Sequence, residues 1–146
     1  MNVFIVGSPL ATAEAMVNDT KRFNKQIVEC KQILAAINGE TKAWRNHPCT
    51  KQYANHKLWL DEYRLCLIAY REGKYARALL HSWIANFVKP SFHTQEFFDQ
   101  MKRRLYTKDN NLYSQYAPWG VSHVNWYWSP TEKKIIKYVN GKRIYI

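Results

Sequence analysis

Two clusters in this chain combine the charge, hydrogen-bonding groups and spacing that chemistry on a phosphodiester requires. The first is Lys21-Arg22-Phe23-Asn24-Lys25-Gln26, with Glu29 beyond it. At about 100° per residue, Arg22, Lys25, Gln26 and Glu29 fall on one side of a helix. Such a face sets a carboxylate among cations, which is more than the pattern of a core requires. The bland alternative is a solvated face in which Glu29 is the i,i+4 partner of Lys25, a pairing worth about 0.2–0.5 kcal/mol. The second cluster is Trp44-Arg45-Asn46-His47-Pro48. Its donors beside an aromatic ring suit phosphate or nucleotide binding, and the alternative is a helix entry capped by Asn46 or His47.

The elements that must carry these clusters read as helices. Val3 to Val6 is a short extended run, and Ser8-Pro9 is an N-cap followed by a proline in the first helical position. From Asp19 to Ile37 one apolar stripe recurs through Phe23, Ile27, Cys30, Leu34 and Ile37, and Asn38-Gly39 ends the helix. A second helix is expected from about Pro48 or Thr50 to Glu72, on a stripe of Tyr53, His56, Leu60, Tyr63, Leu67 and Tyr70, closed by Gly73. Tyr75, Leu79, Trp83, Ile84 and Phe87 predict a third, stopping before Pro90. Ser91 or Thr94 caps a fourth through Phe97, Phe98, Met101 and Leu105. Beyond Thr107 the periodicity dissolves, and Lys137 to Ile146 alternates weakly enough to form a short hairpin around Asn140-Gly141. The expected fold is mainly α: a compact single-domain helical fold over 1–146 with an irregular, aromatic-rich, basic C-terminal segment.

Composition points to the partner. Lys and Arg number 22 against 11 acidic residues, for a net charge of +11, and 15% of the chain is aromatic. Cations neutralise phosphates and rings stack on bases, so nucleic acid is the first partner to consider. Residues 101–146 hold nine basic and two acidic residues with nine aromatics, a concentration that reads as grip on the strand or, equally, as rings pinning an irregular tail to the helices. No apolar run approaches the roughly 20 residues of a membrane span, and the N-terminus lacks a leader pattern. Three widely spaced cysteines without a CxxC pair fit reduced thiols in a cytoplasm. No metal is expected: His47-Pro48-Cys49 lacks the glutamate and the PCxxC of a zinc deaminase site.

The order of several motifs resembles the pyrimidine-dimer DNA glycosylase family, the group related to phage endonuclease V, nearly end to end. The resemblance rests on KR-x-x-KQ-x-x-E at Lys21 to Glu29, on Gly39 to Pro48 with its WRNHP, and on Phe92-His93. It continues through Arg104 to Asp109, Tyr113, Lys137-Tyr138, Gly141-Lys142 and Ile144-Tyr145. It implies a helical fold whose N-terminus lies against the first long helix, and a glycosylase/AP lyase activity. In that chemistry the N-terminal α-amine attacks the sugar carbon, displaces the base as a Schiff base forms, and β-elimination nicks the strand. An α-amine is well suited to this attack. Its pKa of about 7.7–8.0, against about 10.4 for lysine, leaves about a tenth of it neutral near pH 7.

Two departures bear on the assignment. The phage member exposes a small residue by losing its initiator methionine, whereas Asn2 here is expected to retain Met1, so Met1 itself becomes the nucleophile. That member also carries a glutamate directly after a helix arginine, where this chain has Phe23-Asn24; Glu29 is the carboxylate left on the Arg22 face. The resulting expectation is a DNA glycosylase with lyase activity on damaged or modified pyrimidines in duplex DNA. Met1 is the nucleophile and Glu29 the acid/base or electrostatic group. Arg22, Lys25, Gln26, Arg45 and His47 bind phosphate or the extruded nucleotide. Lys137, Lys142 and Arg143 grip backbone, with Trp126, Trp128 and Tyr138 near the opened groove. No cofactor or membrane partner, a monomer, and a cytoplasmic, nucleoid-associated location complete the expectation. A non-catalytic nucleic-acid binder of the same fold and an enzyme acting on modified nucleotides are the alternatives.

Overall fold

The computed structural model describes residues 2–120 and, beyond them, the backbone of residues 124–129, 134–139 and 142–145. Six α-helices come first: α1 Pro9–Met16, α2 Thr20–Ile37, α3 Pro48–Tyr53, α4 Lys57–Arg71, α5 Tyr75–Phe87 and α6 Gln95–Lys108. A 3₁₀ turn at Ser114–Trp119 follows, then strands β1 Val124–Ser129, β2 Lys134–Val139 and β3 Lys142–Tyr145.

Local chemistry sets most helix ends. The Ser8, Asp19 and Thr94 side chains cap α1, α2 and α6 by accepting from the backbone N–H groups of Ala11, Arg22 and Phe97. Helices α2 and α4 both end in Schellman turns, which need a left-handed residue just past the helix. Gly39 (φ 74°) and Gly73 (φ 76°) supply it, and Glu40 and Lys74 donate back to the carbonyls of Ala35 and Ala69 at 2.9 Å.

The core gathers around the extended run at the N-terminus. Val3, Phe4 and Ile5 are all buried, packed with Phe23, Ile27, Cys30 and Ile33 of α2 and with Leu60, Tyr63 and Leu67 of α4. A lone extended segment among helices has no neighbouring strand to satisfy its backbone, so side chains must do it. Gln26 does so twice: its Oε1 accepts from Phe4 N–H at 2.6 Å and its Nε2 donates to the Asn2 carbonyl at 2.7 Å. Tyr63 donates its hydroxyl to the Phe4 carbonyl, and Val6 N–H donates to Thr12 Oγ1 at 3.1 Å.

The structure divides the expected second helix. The chain breaks at 54–56, with His56 N–H donating to the Tyr53 carbonyl at 2.8 Å. On an unbroken helix Tyr53 and Trp59, six residues apart, would sit about 240° around the axis from one another. The break lets their rings stack, 5.4 Å apart, and both are buried. His93 completes this nest: its ring lies edge-on to Trp59 at 4.5 Å, and the Tyr53 hydroxyl lies 2.8 Å from its Nε2. Burial pushes the Tyr53 phenol well above its ordinary value, so the phenol is the donor and neutral His93 the acceptor.

Helix α5 forms where the spacing predicts it, with an unexpected inward face. Ala78, Ser82 and Ala85 are buried, while Tyr75, Leu79, Leu80, Trp83 and Phe87 are exposed. Small residues let α5 pack closely on α4 and α1, and Ser82 Oγ accepts from Leu10 N–H at 3.1 Å. The mainly helical reading holds, and in the C-terminal segment the chain forms a three-stranded antiparallel sheet in the order β1-β2-β3. The expected hairpin is present in its strands, with Val139 opposite Lys142. Its two turn residues, Asn140 and Gly141, lie outside the described residues.

This packing can be tested at Gln26 and at His93. Replacing Gln26 with Leu leaves the buried Phe4 N–H and the Asn2 carbonyl without their partner, and should cost about 2–4 kcal/mol in urea unfolding. A loss under about 0.5 kcal/mol would refute its role as the clamp. His93 is held neutral, its pKa lowered to about 3 by burial, with the charges of His56 and Lys89 adding to the effect. The unfolded chain therefore takes up a proton that the folded chain refuses as pH falls below about 6.5, and stability declines from there toward pH 3. The melting temperature should drop between pH 7 and pH 5, and His93→Gln should make that drop smaller; an identical drop in the variant would exclude His93 as its source.

Candidate functional site

Helix α2 presents its polar face beside the clamped N-terminal segment, and between them opens a cleft of about 240 Å³. Asn2, Phe4, Asp19, Lys21, Arg22, Lys25, Gln26 and Glu29 line it, and Lys108 reaches it from the end of α6. Four cationic side chains thus surround two carboxylates, an arrangement that draws in an anion yet keeps an acid/base group inside.

The two carboxylates have different engagements. Asp19 is committed to structure: Oδ1 caps α2 from Arg22 N–H at 3.3 Å, while Oδ2 takes hydrogen bonds from the Arg22 guanidinium and, at 2.8 Å, from the Tyr113 hydroxyl. Burial, and then the bond to Asp19, hold the Tyr113 phenol well above its ordinary value, which keeps it a donor. Glu29 is held more loosely. Its Oε1 lies 3.9 Å from Lys25 Nζ, and its Oε2 accepts from Asn2 N–H at a long 3.4 Å. Lys25 is itself 68% exposed, so the i,i+4 pair is screened by solvent and adds little to stability.

Asn2 is fixed from several directions. Its N–H faces Glu29, its carbonyl is held by Gln26, and its side-chain Oδ1 accepts from Arg104 Nη1 at 2.9 Å. Arg104 lies on α6, 9% exposed, and burial lowers its pKa only to about 10, so it remains cationic at neutral pH. The last described residue before the chain terminus is therefore pinned by α2 on one side and α6 on the other.

Of the residues singled out in the sequence, Arg22, Lys25, Gln26 and Glu29 come together in this cleft. Gln26 is buried, with both ends of its amide already engaged by backbone, which makes it a holder of the N-terminal segment. Arg45 and His47 do not line the cleft; they lie in the loop before α3. His47 caps α3, its Nδ1 accepting from Cys49 N–H at 3.1 Å, and its ring meets Trp44 edge-on at 5.7 Å. Burial lowers the His47 pKa, with the positive charge of the chain terminus adding to the effect. Trp44 has φ 63°, a left-handed conformation rare outside glycine, and the residue is 44% exposed. Met1 lies outside the described residues. Trp126, Trp128, Lys137, Tyr138, Lys142 and Arg143 are described in backbone only, with Trp126 registered against Lys137 and Tyr138 against Arg143. The side chains of these six lie outside the described residues.

Sequence reasoning did not single out Asp19, Asn2, Arg104 or Lys108 for the site. The signal for two of them was present, since Arg104 and Lys108 stand one helical turn apart within the Arg104 to Asp109 motif. Asn2 and Arg104 meet across 102 positions of sequence, a contact that local pattern does not reveal. Among the described residues, no group of three or more His, Cys, Asp or Glu side chains gathers to hold a metal ion, and no helix is long and apolar enough to cross a membrane.

Residues 1–72 match the model of the pyrimidine dimer DNA glycosylase family. No curated protein and no solved structure matches the chain. The matched span is shorter than the near end-to-end resemblance of the motifs, but it contains the N-terminal segment, all of α2 and the Trp44 to Pro48 loop. The chain is thus similar to the pyrimidine dimer DNA glycosylase family over residues 1–72, the span that holds every lining residue of the cleft except Lys108.

Proposed function

We propose that the protein is a glycosylase with AP lyase activity that excises damaged or modified pyrimidines from duplex DNA through the α-amine of Met1. The observation that carries this reading is the fixing of Asn2 beside Glu29 at the edge of a cationic cleft. A trans peptide puts the preceding Cα 3.8 Å from that of Asn2, so an amine on residue 1 is tethered to the one stretch of chain held against a carboxylate and phosphate-binding side chains.

In the proposed reaction, the neutral amine donates its lone pair to C1′ of the extruded nucleotide. The C1′–N bond to the base breaks, and the base leaves with the bonding pair and a proton. Loss of the amine protons and opening of the sugar give the C1′=N imine, and removal of a C2′ proton then expels the 3′ phosphate by β-elimination. Glu29 is the group placed to take up and return these protons and to balance the positive charge on nitrogen. Lys21, Arg22, Lys25 and Lys108 hold phosphates flanking the lesion, which positions the strand without reading its sequence. Arg45 and His47 lie outside the cleft lining, where they are proposed to meet the strand beyond it. Lys137, Lys142 and Arg143, with Trp126, Trp128 and Tyr138, are proposed to extend the grip on the opened duplex. Gln26 serves by holding the segment that carries the nucleophile.

The test is cleavage of a duplex carrying one cyclobutane pyrimidine dimer, compared with the undamaged duplex. Wild type should nick only the damaged strand. Glu29→Gln should slow nicking by about 10²-fold or more while duplex affinity changes less than about threefold. Specific binding without cleavage of either duplex would favour the non-catalytic reading, and undiminished cleavage by the variant would remove Glu29 from the chemistry.

A further inference from the structure

We infer that the outward face of α5 is a self-association surface on which two copies of this chain pack antiparallel. At about 100° per residue, Tyr75, Ala76, Leu79, Leu80, Trp83 and Phe87 occupy an arc of about 140° that holds one exposed polar residue, Asn86, and no charged one. The large members are far from buried: Tyr75 is 62% exposed, Leu79 57%, Leu80 51%, Trp83 58% and Phe87 70%. The opposite, buried face consists of Ala78, Ser82 and Ala85. A helix built only to complete this core would have the reverse arrangement, with large residues in and small or polar ones out.

Area and shape both select a second copy as the occupant. Three aromatic side chains of about 150–250 Å² each, roughly three-fifths exposed, and two half-exposed leucines give about 500–700 Å² of apolar surface. That reaches the upper end of the roughly 300–600 Å² of the largest patch on an ordinary monomer, and supplies most of the roughly 800 Å² per partner of a standard interface. The face is also self-complementary. Ala76, Leu79, Leu80 and Trp83 border a shallow groove of about 410 Å³ at one end of the stripe. At the other end Trp83 and Phe87 pack edge-to-face, 4.8 Å apart, as a projecting pair. A two-fold axis midway between Leu80 and Trp83 sets Phe87 opposite Ala76 and Trp83 opposite Leu80 of the other copy, so that the projection of each meets the groove of the other, the isologous arrangement that closes after two subunits. Two chains of charge +11 repel one another, and this charge-free stripe is the place where they can meet. No residue of α5 lines the cationic cleft, so the association leaves both clefts open to DNA.

Sedimentation velocity on the full chain over a concentration series tests this. Wild type should form dimers at about 10–100 µM, and Trp83→Glu and Phe87→Glu should each raise the dimer dissociation constant at least about tenfold. Both sites are exposed, so circular dichroism and melting temperature should stay unchanged. Leu80→Cys should cross-link two chains under mild oxidation; Cys30, Cys49 and Cys66 are buried, so the new thiol alone reports the contact. A wild-type chain that stays monomeric to several hundred µM, at about 0.15 M salt, would overturn the proposal. So would a dimer that both glutamate variants leave intact, or a monomer that binds neutral lipid vesicles through this face.

Discussion

The structure turns on one constraint: an extended segment buried among helices must find partners for its backbone from side chains alone. Residues 2–6 run through the core without an adjacent strand, and Gln26, Tyr63 and Thr12, from three different helices, meet their polar groups. Each unmet group in such a setting costs about 1–3 kcal/mol, so the segment has essentially one register. Gln26 matters most, because one side chain both accepts from Phe4 and donates to Asn2, as a neighbouring strand would. The segment from Asn2 to Phe4 is thereby fixed against the helix that carries Arg22, Lys25 and Glu29.

The same clamp separates the duties of the charged groups around it. Asp19 is fully engaged, as helix cap, partner of Arg22 and acceptor from Tyr113, and so orients a cation without acting as a base. Among the described residues Glu29 makes only long contacts, with Asn2 and Lys25, which leaves lone pairs for a substrate or a proton. Arg104, positive despite its burial, anchors Asn2 from the side opposite α2. A fixed Asn2, a lightly held Glu29 and the cations of the cleft are what the proposed chemistry needs, and they converge because the N-terminal segment is buried.

Much of this was legible in the sequence wherever the cause is local. The caps at Ser8, Asp19 and Thr94, the glycine turns at Gly39 and Gly73, and the α2 stripe all follow from residues within a turn or two of one another. So does the grouping of Arg22, Lys25, Gln26 and Glu29. The break between α3 and α4 was not legible, because it serves the stacking of Tyr53 on Trp59 and the bond to His93, forty positions away. Periodicity in α5 gave the helix but not which side faces in, since a stripe of large residues looks the same whether it meets the core or a partner. Gln26 read as a residue that binds phosphate or the extruded nucleotide for a related reason: only its contacts 22 and 24 positions away reveal that it stands in for a strand. The sheet register in β1 to β3 likewise depends on pairing that a weak alternation does not specify.

The proposed chemistry stands on the chain terminus, and no lysine, attacking the sugar. Borohydride reduction traps the imine when the protein is incubated with a duplex containing a single pyrimidine dimer or abasic site. Proteolysis and mass mapping then locate the adduct. One covalent adduct is expected, on the N-terminal peptide that begins at Met1, and blocking the α-amine beforehand should abolish it. An adduct on Lys21, Lys25 or Lys108, or one that survives amine blocking, would show that the terminus is not the nucleophile.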